Sequence, residues 1–191
     1  MALQEKLGKI NKEAGLRCSS VLSKLIQRQS EIEFFEPLIA DIKKIPSFIT
    51  SPKLGSGIFL VITGVSGVSL LFFPEKVSFN ICDIMMKREI GTTRKLSEFD
   101  EGILKEIGNI ILGNYLTVFS NALKTEMIGG VPKFSFGMFG AILEEVISRF
   151  AKDVREALVI KIRFDISPLE IEGYLFLLFE PQELKALSDA L

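Results

Sequence analysis

Histidine and tryptophan are absent from this 191-residue chain, and cysteine occurs only twice. The missing histidine removes the commonest general base and the commonest metal ligand, and with them any Ser-His-Asp or Cys-His mechanism. Cys18 and Cys82 stand far apart without a CxxC spacing. That pattern predicts two buried thiols in a cytoplasmic protein rather than a disulfide framework or a metal site. The formal net charge is −1, and no long basic run occurs. Neutralising phosphates requires clustered Lys and Arg, so no nucleic-acid partner is expected. The opening "MALQEKLGKINKEAG" is studded with charges and lacks the apolar core of a signal peptide. One uncharged run, "GIFLVITGVSGVSLLFF" at 57–73, is slightly short for a bilayer span and is broken by Gly64, Ser66 and Gly67. Two β-rich stretches, Ile58–Thr63 and Val68–Phe73, flank "GVSG". This is the pattern of a hairpin with both strands well buried, and no membrane insertion is expected.

What is present is apolar material for a core: 48% of residues are hydrophobic, enough for one medium domain. A helix is predicted from about Gln4 to Arg28, then a strand over "EIEFFEP" and a short helix or turn over "PLIADIKKI". After the hairpin, "PEKVSFNICDIMM" reads as a helix with Pro74 at its start. "REIGTTRKLSEFD" reads as a polar connector. A long helix is expected from about Asp100 to Lys124, with Ser97 and Asp100 in a capping pattern. "MIGGVPKFSF" reads as an extended segment with a turn, and "FGAILEEVISRFA" as a helix. "ALVIKIRFDI" and "EIEGYLFLLF" read as strands turning around Ser167-Pro168, and "PQELKALSDAL" as a closing helix that begins at Pro181.

The order repeats itself. "GVSLLFFPEKVSFNICDIM" resembles "GYLFLLFEPQELKALSDAL": a glycine, an apolar strand, a proline and a helix. At an offset of 97, "LGKINKEAGLRCSSVLSKLI" lies over "LKEIGNIILGNYLTVFSNAL". The expected architecture is α+β, a single domain over 1–191. Two pseudo-repeated α/β halves, about 1–90 and about 97–191, share a mainly antiparallel sheet with long helices on one face.

The long helix has an odd side. At about 100° per residue, Leu104, Ile107, Ile111, Tyr115 and Val118 face one way. Gly102, Glu106, Asn109, Gly113, Thr117 and Ser120 fall together on the other. Glu106 and Asn109, three apart, project side by side. Such a pair is common on solvated faces. Gly113 is less so, because glycine disfavours a helix by roughly 1 kcal/mol, so something is expected to approach the backbone there. Pro132, in "GGVPKF", adds a further cue by its spacing from Asn109.

With those residues in place, "LKEIGNIILGN" followed by Pro132 resembles the CheC/CheX/FliY phosphatases of chemotaxis. Their signature is Asp or Ser, three residues, Glu, two residues, Asn, twenty-two residues, Pro. Glu106, Asn109 and Pro132 match it, and Gly108, Gly113 and Asn114 match the fuller form usual in CheC. The two-half organisation also resembles CheC rather than the shorter CheX. Gly102 departs from the pattern, standing where the family has Asp or Ser.

The resemblance implies a hydrolase acting on the aspartyl phosphate of the response regulator CheY. Asn109 would orient the attacking water, and Glu106 would pair with the regulator's lysine. Gly102, Gly113, Thr117 and Pro132 would meet the partner. It implies no cofactor or metal of the chain's own, with magnesium held by CheY. CheC relatives also bind the deamidase CheD, so a non-catalytic module for phosphorylated CheY or CheD is the alternative. In the first half Lys9, Lys12 and Leu16 replace Glu106, Asn109 and Gly113, so that half is expected to be silent.

Overall fold

A computed structural model describes residues 3–49, 53–167 and 169–190. The chain begins with helix α1 (Leu3–Ile26), which ends where Gln27 turns into the left-handed region (φ 55°). Strands β1 (Glu31–Phe34) and β2 (Leu38–Asp41) follow, then the single-turn helix α2 (Ile45–Phe48). The hairpin β3 (Leu54–Thr63) and β4 (Gly67–Pro74) leads into α3 (Glu75–Met85). The second half runs α4 (Glu98–Leu123), β5 (Ile128–Gly129), β6 (Lys133–Met138) and α5 (Phe139–Phe150). It closes with β7 (Glu156–Ile166), β8 (Leu169–Phe179) and α6 (Pro181–Ala190).

Among the described residues, eight strands form one antiparallel sheet in the order β1-β7-β8-β4-β3-β5, with β2 also on β7 and β6 also on β3. Both faces are covered, which is why β4 is apolar without alternation and buried throughout. Ile58, Leu60 and Ile62 of β3 point to a core shared with α1, α3 and α4. Phe59, from the same strand, points to a second core with α5 and Ile45 of α2. The α+β class with long helices on one face is what the sequence predicts, and the smaller α2 and α5 occupy the other.

The strand order keeps its pattern when the halves are exchanged. The hairpins meet at the centre through β4 and β8. Each half then closes the other's hairpin: β1 and β2 pair with β7, while β5 and β6 pair with β3. On α1, Leu7, Ile10, Ala14, Cys18, Leu22 and Ile26 are buried. The residues 97 positions later, Leu104, Ile107, Ile111, Tyr115, Phe119 and Leu123, are the corresponding buried set on α4.

Two expectations are corrected. Residues 38–41 form a strand instead of a helix or turn, because they find a ladder on Val159–Glu156, far along the chain. The polar connector is shorter than expected, since α4 starts at Glu98. Pro168 lies outside the described residues.

Candidate functional site

Helix α4 carries the odd face, and its first turn is firmly held. Ser97 is the N-cap, and its hydroxyl accepts from the Asp100 backbone N–H (3.3 Å). In return Asp100 Oδ2 accepts from the Ser97 N–H (2.9 Å) and Oγ–H (2.6 Å). Arg88 reaches the other Asp100 oxygen at 3.4 Å. Burial pushes the Asp100 carboxyl up, but the Ser97 hydrogen bonds and the Arg88 guanidinium outweigh it and hold the carboxyl below its usual range. The connector before the helix is organised by a second buried carboxylate. Asp83 accepts from the backbone N–H of Gly91 (2.8 Å), Thr92 (3.0 Å) and Thr93 (3.0 Å), and from the Thr93 hydroxyl (2.6 Å). Asp100 is thus committed to the cap and to Arg88, and it offers no carboxylate in place of the one missing at Gly102.

Along the helix, Leu104, Ile107, Ile111, Tyr115 and Val118 are all buried, as the wheel requires. Gly102 and Glu106 are exposed, and Asn109, Gly113, Thr117 and Ser120 are half-buried. Neither Glu106 nor Asn109 is engaged by another described residue. A methyl group built on Gly102 or Gly113 meets nothing within 4 Å, so both positions open outward. Gly108 is different: its methyl would sit 2.7 Å from Ile58 Cβ on β3. Gly108 is therefore a packing residue that lets α4 settle on the sheet.

The sheet places Pro132. Gly108 packs on Ile58, and Ile58 pairs with Phe134. Gly129 pairs with Ile62, and a methyl on it would lie 3.4 Å from Leu116 Cδ1. The segment 129–134 thus runs antiparallel to α4 beside residues 108–116. Pro132 sits level with the stretch that holds Asn109 and Gly113, half-buried. The Thr117 hydroxyl donates to the Gly113 carbonyl at 2.7 Å and so contributes only a small outer surface.

Asn114 has a structural task. Its amide donates to the Ile110 carbonyl (2.7 Å), and its oxygen accepts from Arg17 Nε (2.8 Å), tying α4 to α1. Tyr115 adds a buried tie by donating to Asn11 Oδ1 at 2.7 Å. Sequence reasoning missed the Arg17 contact, although Arg17 and Asn114 are related by the same offset of 97. In the first half Lys9 is exposed and pairs with Glu5 at 3.4 Å. Leu16 is 68% exposed at the place of Gly113. Burial pushes both Cys18 and Cys82 up to about 12, so neither thiol is a ready nucleophile.

The arrangement is an outward carboxylate and amide on a rigid helix, with bare backbone beyond them. An amide can both donate to and accept from a water, so it can orient one without abstracting its proton. Comparison with known proteins bears on whose water that is. A model of the CheC-like family matches residues 101–135. The chain is 26% identical to the CheY-P phosphatase CheC of Bacillus subtilis (strain 168) over 182 residues, covering 91% of this chain and 86% of that protein. The crystal structure of Thermotoga maritima FliY superposes with a TM-score of 0.73 at 18% identity, covering 98% of this chain and 94% of that one. The CheX-CheY-BeF3-Mg+2 complex from Borrelia burgdorferi gives 0.55 at 20% identity, covering 89% and 98%. Among the described residues no helix is long and apolar enough to cross a membrane. The matched segment holds Glu106, Asn109 and Pro132, and over most of its length the chain is similar to CheC in sequence and to FliY and CheX in fold.

Proposed function

We propose that this chain hydrolyses the aspartyl phosphate of the chemotaxis response regulator CheY, using the outer face of α4. The observation that carries the reading is the outward pair Glu106 and Asn109, neither held by a described residue, beside a Gly113 whose surroundings are open. An acyl phosphate is already labile, so the main requirement is a water placed in line with the phosphorus. Asn109 orients that water. Its oxygen attacks phosphorus, the bond from phosphorus to the carboxylate oxygen breaks, and inorganic phosphate and the free aspartate result. Glu106 pairs with the regulator's active-site lysine and fixes the docking angle. Magnesium belongs to CheY, where it neutralises charge on the phosphoryl oxygens. Gly102, Gly113, Thr117 and Pro132 form the surface against which the regulator lies.

The test is phosphate release from CheY charged with acetyl phosphate. Asn109→Ala is expected to fold normally and to lose about 100-fold or more in turnover, the scale of losing one well-placed donor. Wild-type rates in the folded variant would overturn the assignment. The second reading is a binding module for phosphorylated CheY, or for CheD, that lacks catalysis. It is favoured by one observation: Gly102 carries no side chain, and Asp100 is spent on the cap. Tight binding of activated CheY without phosphate release would select it.

A further inference from the structure

Two large apolar side chains stand out in solvent beside this face. Phe99, on the first turn of α4, is 63% exposed, and Val131, in the β5–β6 turn, is 81% exposed. A single exposed apolar residue needs no partner. What sets these two apart is their placement. On the helical wheel Phe99 lies about 20° from Glu106, and it precedes Asn109 by ten residues, about 15 Å along the axis. Val131 immediately precedes Pro132 on the strip beside residues 108–116, so it lies on the sheet side of α4, beyond Asn109 toward Gly113. Both are rigidly mounted. The Ser97–Asp100 cap and Arg88 fix the turn that carries Phe99. The Gly130 N–H donates to the Val61 carbonyl at 2.9 Å, just before Val131.

We infer that Phe99 and Val131 are apolar anchors for the response regulator, gripping it on two sides of the Glu106–Asn109 centre. The inference rests on the function proposed above. It commits to that occupant because the two side chains are continuous with the proposed site and fit its footprint. A standard interface covers roughly 800 Å² per partner, a disc about 32 Å across. Centred on Asn109, that disc reaches Phe99. A polar centre that does chemistry binds weakly by itself, whereas a pre-positioned aromatic held without loss of backbone freedom is the usual source of affinity.

The experiment measures the dissociation constant for beryllofluoride-activated CheY, together with phosphate release. Phe99→Ala and Val131→Ser should each weaken binding about tenfold, with KM rising in step, while circular dichroism and melting temperature stay at the wild-type values. Asn109→Ala should lose release while retaining binding. Unchanged affinity in both anchor variants would overturn the inference and leave the phosphatase reading standing. A wild-type protein that neither binds nor dephosphorylates CheY would overturn both. A wild-type dimer that becomes a monomer on Phe99→Ala would assign the patch to a second copy of the chain and likewise overturn it.

Discussion

Replacing Gly113 by Ala separates what the helix wants from what the partner wants. Gly costs an α-helix roughly 1 kcal/mol relative to Ala. At Gly113 the added methyl meets nothing within 4 Å. The substitution therefore recovers about 0.8–1 kcal/mol with no packing cost to set against it. For a domain of this size that raises the melting temperature by about 2–4 °C. The identical change at Gly108 should go the other way. There the methyl lies 2.7 Å from Ile58 Cβ, so α4 must lift off β3. Overpacking of this kind costs about 1–3 kcal/mol, which matches or exceeds the propensity gain. Calorimetry on the two variants reads the contrast directly. If Gly113→Ala melts no higher than wild type, the open-face geometry is wrong. Phosphate release then tests the function. If CheY lies against this backbone, Gly113→Ala slows release, and Gly113→Leu, which copies Leu16 of the first half, nearly abolishes it. A Gly113→Leu variant as active as wild type would refute close approach at that position.

Other expectations follow from the same geometry. Glu106→Lys should weaken CheY binding more than Glu106→Ala, because it adds repulsion to a lost pair; equal affinities would count against the lysine contact. Asp100 has a folded-state pKa below its ordinary value, so its stabilising contribution is fully present above the unfolded pKa near 3.9 and disappears as pH falls through the folded value. The stability gap between wild type and Asp100→Asn should be widest at neutral pH and narrow below about pH 4. A gap constant from pH 3 to pH 7 would show that the charge is not what holds the cap.

Local physics made α4 legible in the sequence. A capping residue, a 3.6-residue apolar period and a glycine on the polar side all agree, and the structure has the same buried and outward sets. The hairpin β3–β4 was legible for a similar reason, since its partners are neighbours in the chain. Strand β2 was not. Leu38 and Ile39 are both exposed, so the segment shows no apolar alternation, and its ladder comes from β7. The exchange of edge strands between halves was hidden for the same cause, because pairing at that separation leaves no local mark. Some motif residues find their task only in three dimensions. The wheel already set Gly113 on the outward side, where it opens to solvent, but gave no task to Gly108, which packs on Ile58. Asn114 looked like part of the functional signature, but it ties two helices together.

The crossed closure of the sheet sets a schedule for synthesis. Glu33 on β1 bonds to Arg163 on β7, 130 residues further on. At roughly 5–20 residues per second, a nascent β1 waits on the order of ten seconds for its partner. Meanwhile the β3–β4 hairpin has left the ribosome with bare edges and an apolar surface on both sides. No early half can become a finished unit, because the strands that would seal it belong to the half still being made. The first half, which lacks the Glu–Asn pair, therefore cannot be discarded in favour of the second. A ribosome stalled near residue 100 would release an adhesive fragment with unpaired strand edges, a natural client for chaperones.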